Sequence, residues 1–176
     1  TGSHARRLPA AIGGDLGGVH YLRATAHADR LGLTLKSGDD LLVVGGGYIG
    51  LEVAAVAAMT GMKVTVIEMA ERILQRVAAP ETSDYFRKLH TAHGVRILEN
   101  TGLKNLASHD GRVTGAELDD GTTIPATCAL CGIGILPTVD LAESAGLTID
   151  NGIAVDAHCR TSDENIFAAG DCASFE

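Results

Sequence analysis

The chain has 176 residues, 45% of them hydrophobic but only 3% aromatic, and a formal net charge of −8. That length holds one domain, or one domain with pieces of another, around a core of Ala, Val, Ile and Leu. The acidic balance excludes a nucleic-acid or anionic-membrane surface, since both need a basic footprint.

The opening "TGSHARRLPAA" has no apolar signal core, and no apolar run approaches the roughly 20 residues of a membrane span. The 4 cysteines are unevenly spaced and do not form a secreted disulfide framework. These features predict a soluble cytoplasmic protein. A start before any strand, and a stop at "GDCASFE" just after an apolar strand, read as the middle of a longer protein.

Residues 24–36 predict a short helix closed by Ser37 and Gly38. A strand follows over Leu41–Val44, then a helix over Tyr48–Thr60 with Gly61 at its C-terminal end. Ala54, Ala55, Ala57 and Ala58 are small enough to let that helix lie close on a sheet. "KVTVIE" (63–68) is β-branched and predicts a second strand. "PETSDYFRKLHTAHG" (80–94) predicts a helix with Pro80 near its start, Gly94 at its end and Tyr85, Leu89 and Ala92 on one side. "VRILE" (95–99) is a third strand. This alternation means a parallel sheet with right-handed crossovers.

The rhythm then changes. Asp110-Gly111 between two strand-like runs signals a hairpin, and Asp120-Gly121 a second turn, followed by a strand ending at "ALCGIG". After Pro137 come a short helix, "VDLAESAG", and two strands, "GIAVD" (152–156) and "NIFAAGD" (165–171). The expected fold is therefore α/β, a Rossmann-like parallel sheet with helices and an added antiparallel β-meander.

The first strand runs into three consecutive glycines, Gly45, Gly46 and Gly47, and Gly45, Gly47 and Gly50 fit G-x-G-x-x-G. The first glycine permits a tight turn, the second lets backbone approach a pyrophosphate, and the third lets helix and strand pack closely. The phosphates would sit at the helix N-terminus, where free N–H groups and the dipole favour anions. Glu68 ends the next strand, 23 residues after Gly45, where a ribose-binding carboxylate belongs. A carboxylate there accepts from a ribose 2′-hydroxyl and repels a 2′-phosphate, by about 1–4 kcal/mol per charge at 4 Å. That favours NADH over NADPH. Arg72 and Arg76 lie just beyond, either as solvated loop charges or as groups that offset the repulsion.

The segments "VVGGGYIGLEVA", "VTVIE", "CGIGILP" and "NIFAAGDCA" come in the order seen in the FAD-dependent pyridine nucleotide oxidoreductases. "RILQRVAAPETSDYF" and "GLTIDNGIAVD" resemble more narrowly their NADH-dependent ferredoxin reductase branch, and the resemblance covers essentially the whole chain. It implies an NAD domain over residues 36–146, flanked by partial FAD-domain segments at 1–35 and 147–176. Thr1 and Gly2 resemble the end of the family's A-T-G motif, and Arg23 and Asp171 match residues that contact FAD. Gly47, Tyr48 and Ile49 match residues at the NAD pyrophosphate, and Glu52 matches an acid beside the nicotinamide carboxamide. Glu68 and Arg76 match contacts to the adenosine ribose region. Gly132, Ile133 and Gly134 match a second glycine turn under the nicotinamide half, and Tyr48 resembles an aromatic that covers the flavin in some relatives. The family's FAD-binding G-x-G-x-x-G and its interface domain have no counterpart in these residues.

Cys128 and Cys131 lie in an apolar strand, where positions three apart face opposite ways, and are expected to be packing residues. His90 and His93 lack a third ligand and are expected on a solvated helix face. No metal site and no protein acid/base or nucleophile set is expected, because in this family the cofactors carry the chemistry. The resemblance implies hydride transfer from NADH to FAD, then single electrons to a [2Fe-2S] ferredoxin. The 176-residue chain alone would be inactive. The alternatives are a binding-only NAD module, or a related NADH-dependent flavoenzyme such as an NADH oxidase, a nitrite reductase subunit or a disulfide reductase.

Overall fold

The structure, a computed structural model, describes residues 2–175. It divides into two compact units, residues 7–133 and a smaller unit of residues 2–6 with 134–175. The elements begin with β1 (Ser3–Ala5), a 3-10 turn at Ala10–Ile12, β2 (Val19–His20), α1 (Thr25–Gly32) and β3 (Asp40–Val44). They continue with α2 (Tyr48–Met59), β4 (Lys63–Ile67), α3 (Pro80–Ala92) and β5 (Arg96–Leu98). The meander is β6 (Leu103–His109), β7 (Arg112–Leu118) and β8 (Thr123–Pro125), and β9 (Cys128–Cys131) follows it. The chain closes with β10 (Ile135–Pro137), α4 (Asp140–Ser144), β11 (Ile153–Ala154) and β12 (Ala173–Ser174).

In the larger unit, five parallel strands lie in the order β2-β9-β3-β4-β5. From β3 the chain winds through α2, β4 and α3 to β5, then returns through the meander to place β9 on the other side of β3. The strand order therefore reverses at β3, and in such sheets ligands bind outside the carboxyl ends of the strands at that point. Leu41, Leu42, Val43 and Val44 are all buried, as a central parallel strand covered on both faces requires. Ala54 and Ala57 are fully buried against that sheet, so α2 lies on it through its smallest residues.

The helix α3 presents a different face from the one its apolar spacing predicts. Tyr85 and Leu89 are exposed, and the inner side carries Ser83, Phe86 and His90. Hydrogen bonds make this possible. Ser83 Oγ donates to the Ile73 carbonyl at 2.7 Å, and the His90 ring nitrogens sit 2.9 Å from Phe86 O and 3.1 Å from Leu51 O. His90 is thus not the solvated residue expected, whereas His93 is exposed.

Both predicted turns form. Asp110 and Gly111 have φ of +50° and +72° at the β6–β7 tip, the paired positive values of a two-residue hairpin. Two other boundaries move. The helix predicted over 24–36 stops at Gly32, where Thr34 turns its hydroxyl onto the Leu31 carbonyl at 2.8 Å. The strand predicted to run into "ALCGIG" is two strands: β8 pairs with β7 and ends at Pro125, which cannot donate to a ladder, and β9 joins the parallel sheet.

In the smaller unit β1 pairs antiparallel with β10, and β11 pairs in parallel with β12. Ala142, Ile153, Ala168 and Cys172 form its buried cluster. The strand predicted over 165–171 is absent. Only Phe167 bridges, to Arg160, and Gly170 turns the chain at φ +82° so that pairing begins at Ala173.

Candidate functional site

At the carboxyl ends of β3 and β9, each glycine lacks a side chain for a separate reason. Gly45 leaves β3 with φ +103°, and a Cβ there would run into the carbonyl of Gly132. A Cβ on Gly50 would overlap the carbonyl oxygen of Gly45 and stand 3.1 Å from Val43 Cγ1, so this glycine is what lets α2 lie against β3. Gly47 differs from both. Its φ of −81° suits any residue, and nothing lies within 4 Å of the place a Cβ would take.

The peptide planes follow from their partners. In a trans peptide the C=O and the next N–H point opposite ways. Gly46 donates its N–H to Glu68 Oε2 at 2.7 Å, while the Gly45 carbonyl of the same unit is directed at Gly50. The Gly46 carbonyl accepts the Leu74 N–H at 2.9 Å, so the Gly47 N–H of that unit points away from Leu74. Among the described residues it meets no acceptor. The first bond of α2 is Leu51 N–H to Gly47 O at 3.0 Å, which leaves the N–H groups of Tyr48, Ile49 and Gly50 at the positive end of a helix without intrahelical partners. Unpaired amides beside an opening that a Cβ would fill fit the pyrophosphate of a dinucleotide. Tyr48 and Ile49 are exposed at the rim, 57% and 43%, and Glu52 is exposed one turn on.

Glu68 follows β4 and is half-buried. Its Oε1 accepts the Ala70 N–H at 2.9 Å, so main chain holds both carboxylate oxygens in place. Each oxygen keeps a further lone pair for a ligand hydroxyl.

Of the two alternatives left open for Arg72, the structure supports neither. Its Nη1 donates to Ala78 O at 2.9 Å and to Ser83 Oγ at 2.6 Å, and its Nη2 to Gln75 O at 3.3 Å. It staples the loop after β4 to the start of α3. Arg76 is exposed on that loop.

The loop is braced from the next strand as well. Glu99, just past β5, accepts the Ile73 N–H at 2.8 Å and a two-pronged pair from Arg87, each contact 2.9 Å. Arg87 also pairs with Asp84. Glu99 first and Asp84 second push the Arg87 guanidinium above its ordinary value, and Arg87 holds the Asp84 carboxyl below the usual range. Sequence reasoning missed Ile73, Leu74 and Glu99. A carboxylate ending the third strand was the one signal available.

Gly132 and Ile133 lie at the end of β9 in the larger unit, and Gly134 is the next residue in chain order, exposed, with φ +101°. Arg23 is exposed just before α1, where its N–H donates to His27 Nδ1 at 3.2 Å. Thr1 lies outside the described residues. In the smaller unit Gly2 has φ +73°, and Asp171 is exposed and accepts from the Ser3 hydroxyl at 2.7 Å. Cys128 and Cys131 are buried free thiols in β9, and burial pushes Cys131 up to about 12.

The sequence pattern of the pyridine nucleotide-disulphide oxidoreductase family matches residues 1–176. The chain is 45% identical over 175 residues to rhodocoxin reductase of Rhodococcus erythropolis, covering 99% of this chain and 41% of that protein. It is 42% identical over 179 residues to putidaredoxin reductase of Pseudomonas putida, covering 99% of this chain and 42% of that one. A solved structure of the covalent putidaredoxin reductase–putidaredoxin complex superposes with a TM-score of 0.93 at 42% identity, over 99% of this chain and 43% of that one. The chain thus spans about two fifths of the relatives it matches.

Proposed function

Because the chain belongs to the pyridine nucleotide-disulphide oxidoreductase family, we propose that it is the NADH-binding part of a flavoprotein reductase that delivers single electrons to a [2Fe-2S] ferredoxin. The observation that carries this reading is the Gly47 opening beside the unpaired α2 amides, with the Glu68 carboxylate anchored on the adjoining Gly46 N–H. Residues 36–146 form the NAD domain in this reading, and 1–35 and 147–176 contribute to an FAD domain.

When bound, NADH and FAD would supply the redox chemistry, a hydride donor and a carrier between two-electron and one-electron transfer. The protein's part is position and electrostatics. The amides of Gly47, Tyr48 and Ile49 hold the pyrophosphate, and Gly45, Gly46 and Gly50 shape the turn that presents them. Glu68 accepts from the adenosine ribose hydroxyls and repels a 2′-phosphate, and Arg76 is a second contact to the adenosine ribose region. Glu52 orients the carboxamide. Tyr48, with Gly132, Ile133 and Gly134, positions the nicotinamide ring. Thr1, Gly2, Arg23 and Asp171 are the contacts to FAD. The likeness to reductases of small redox proteins supports the ferredoxin partner.

A second reading, an NAD-binding module active only in binding, is favoured by one fact: the cradle, α2 and Glu68 all lie in one unit. Calorimetric titration of the chain with NADH and NADPH tests both. Saturable NADH binding with NADPH at least about tenfold weaker, a difference of roughly 1.4 kcal/mol, is expected. Tighter binding of NADPH would overturn the NADH assignment, and binding of neither would remove the cradle from the mechanism. Flavin absorbance in the purified protein separates the reductase from the bare module.

A further inference from the structure

We infer that Glu99 is a positioning residue for the pyrophosphate cradle, acting through Ile73 and Leu74 on Gly46 without touching the nucleotide. The inference rests on the NADH reading above and adds a residue to it.

The relay is short. Glu99 Oε1 accepts the Ile73 N–H at 2.8 Å, and Arg87 fixes the carboxylate from α3 through two bonds of 2.9 Å. Ile73 is fully buried, and its Cγ2 stands 2.6 Å from where a Cβ of Gly46 would be, so it fills the place of the missing side chain. Leu74 then donates to the Gly46 carbonyl at 2.9 Å. That bond sets the plane of the peptide whose other end is the Gly47 N–H.

Leu74 makes this contact from a left-handed backbone, φ +56°, while 3% exposed. A buried leucine in that region is strained and persists only where its surroundings over-determine it. Here they do: Glu99 holds the preceding amide, Leu74 packs with Leu51 and Ile73, and Arg72 ties the following turn to Ser83. Position 99 thus acts on the Gly47 amide, which it does not touch, through Ile73, Leu74 and Gly46.

The test uses the full chain with three forms: wild type, Glu99→Ala and Glu99→Gln. Glu99→Ala is expected to weaken NADH and NADPH by the same factor, about tenfold, so that their ratio stays constant. Glu99→Gln keeps a side-chain carbonyl for the Ile73 N–H but its amide cannot accept from Arg87 Nε, so it is expected to bind NADH more tightly than Glu99→Ala and no more tightly than wild type. Amide hydrogen exchange at the hydrogen-bonded Gly46 and Leu74 amides, read well below the melting temperature, is expected to speed up in Glu99→Ala. A folded Glu99→Ala protein with wild-type affinity and wild-type exchange overturns the inference. So does a Glu99→Gln protein as weak as Glu99→Ala. If wild type itself binds neither nucleotide, the NADH reading fails, and the exchange rates still decide whether Glu99 orders the cradle.

Discussion

Glu68 Oε2 accepts the Gly46 N–H at 2.7 Å, so the acid ending the second strand of the winding is bonded directly to the glycine turn ending the first. With Ala70 N–H on the other oxygen, the carboxylate cannot swing aside for a larger group without breaking two main-chain bonds.

Two substitutions separate its roles. Glu68→Gln removes the charge and keeps one acceptor, for Gly46, while its amide NH2 cannot accept from Ala70; the NADPH to NADH affinity ratio should rise about tenfold or more, the 1–4 kcal/mol of repulsion at 4 Å being lost. Glu68→Ala also releases the turn and should weaken both nucleotides. Titration with each nucleotide checks this, and an unchanged ratio in Glu68→Gln would take specificity away from this residue.

The second and third glycines of the motif should respond in opposite ways. Gly47→Ala has room and an ordinary φ, so its melting temperature should match wild type while NADH affinity drops about tenfold or more. Gly50→Ala meets the Gly45 carbonyl and should lose about 1–3 kcal/mol of stability. Thermal melts with and without NADH distinguish the two. A Gly47→Ala protein that binds normally would mean no ligand enters that opening.

Arg72→Ala is expected to destabilise by about 1–3 kcal/mol, since buried Ser83 and two loop carbonyls lose their donor. It should leave the NADPH to NADH ratio where it was. Denaturant unfolding and the same titrations measure both, and a change in the ratio would restore Arg72 to the nucleotide.

Thiol chemistry should sort the cysteines by burial. At pH 8 an exposed Cys159 reacts with a disulfide reagent at once, whereas Cys131, raised to about 12 by burial, presents on the order of a thousandfold less thiolate than a thiol near 9 and reacts only on unfolding. The same shift has a stability consequence. The folded chain holds the Cys131 proton more tightly than the unfolded chain, so the contribution is intact below pH 9 and is lost as pH rises toward 12. Cys131→Ser should flatten the fall of melting temperature across that window. An identical slope in both proteins would remove Cys131 as a cause.

The local code of this chain was complete where neighbours in sequence decide the outcome. Gly45 and Gly50, the β-branched run ending at Glu68, and Asp110-Gly111 each act within a few residues through backbone freedom, close approach, strand propensity or turn geometry, and the parallel sheet and meander follow from them. Tertiary contact decided the rest. Spacing put Tyr85 and Leu89 on the important face of α3, but Ser83 and His90 took it because carbonyls of distant segments accept their hydrogen bonds. Propensity made 165–171 a strand, but pairing fell to Ala173–Ser174, where β11 offers a partner. Nothing in the letters places Arg72 on Ser83, Glu99 on Ile73 or Leu74 in a left-handed turn against Gly46. Those positions are fixed by hydrogen bonds that exist only once β4, β5 and α3 have closed around the loop, and a sequence of local preferences contains no term for them.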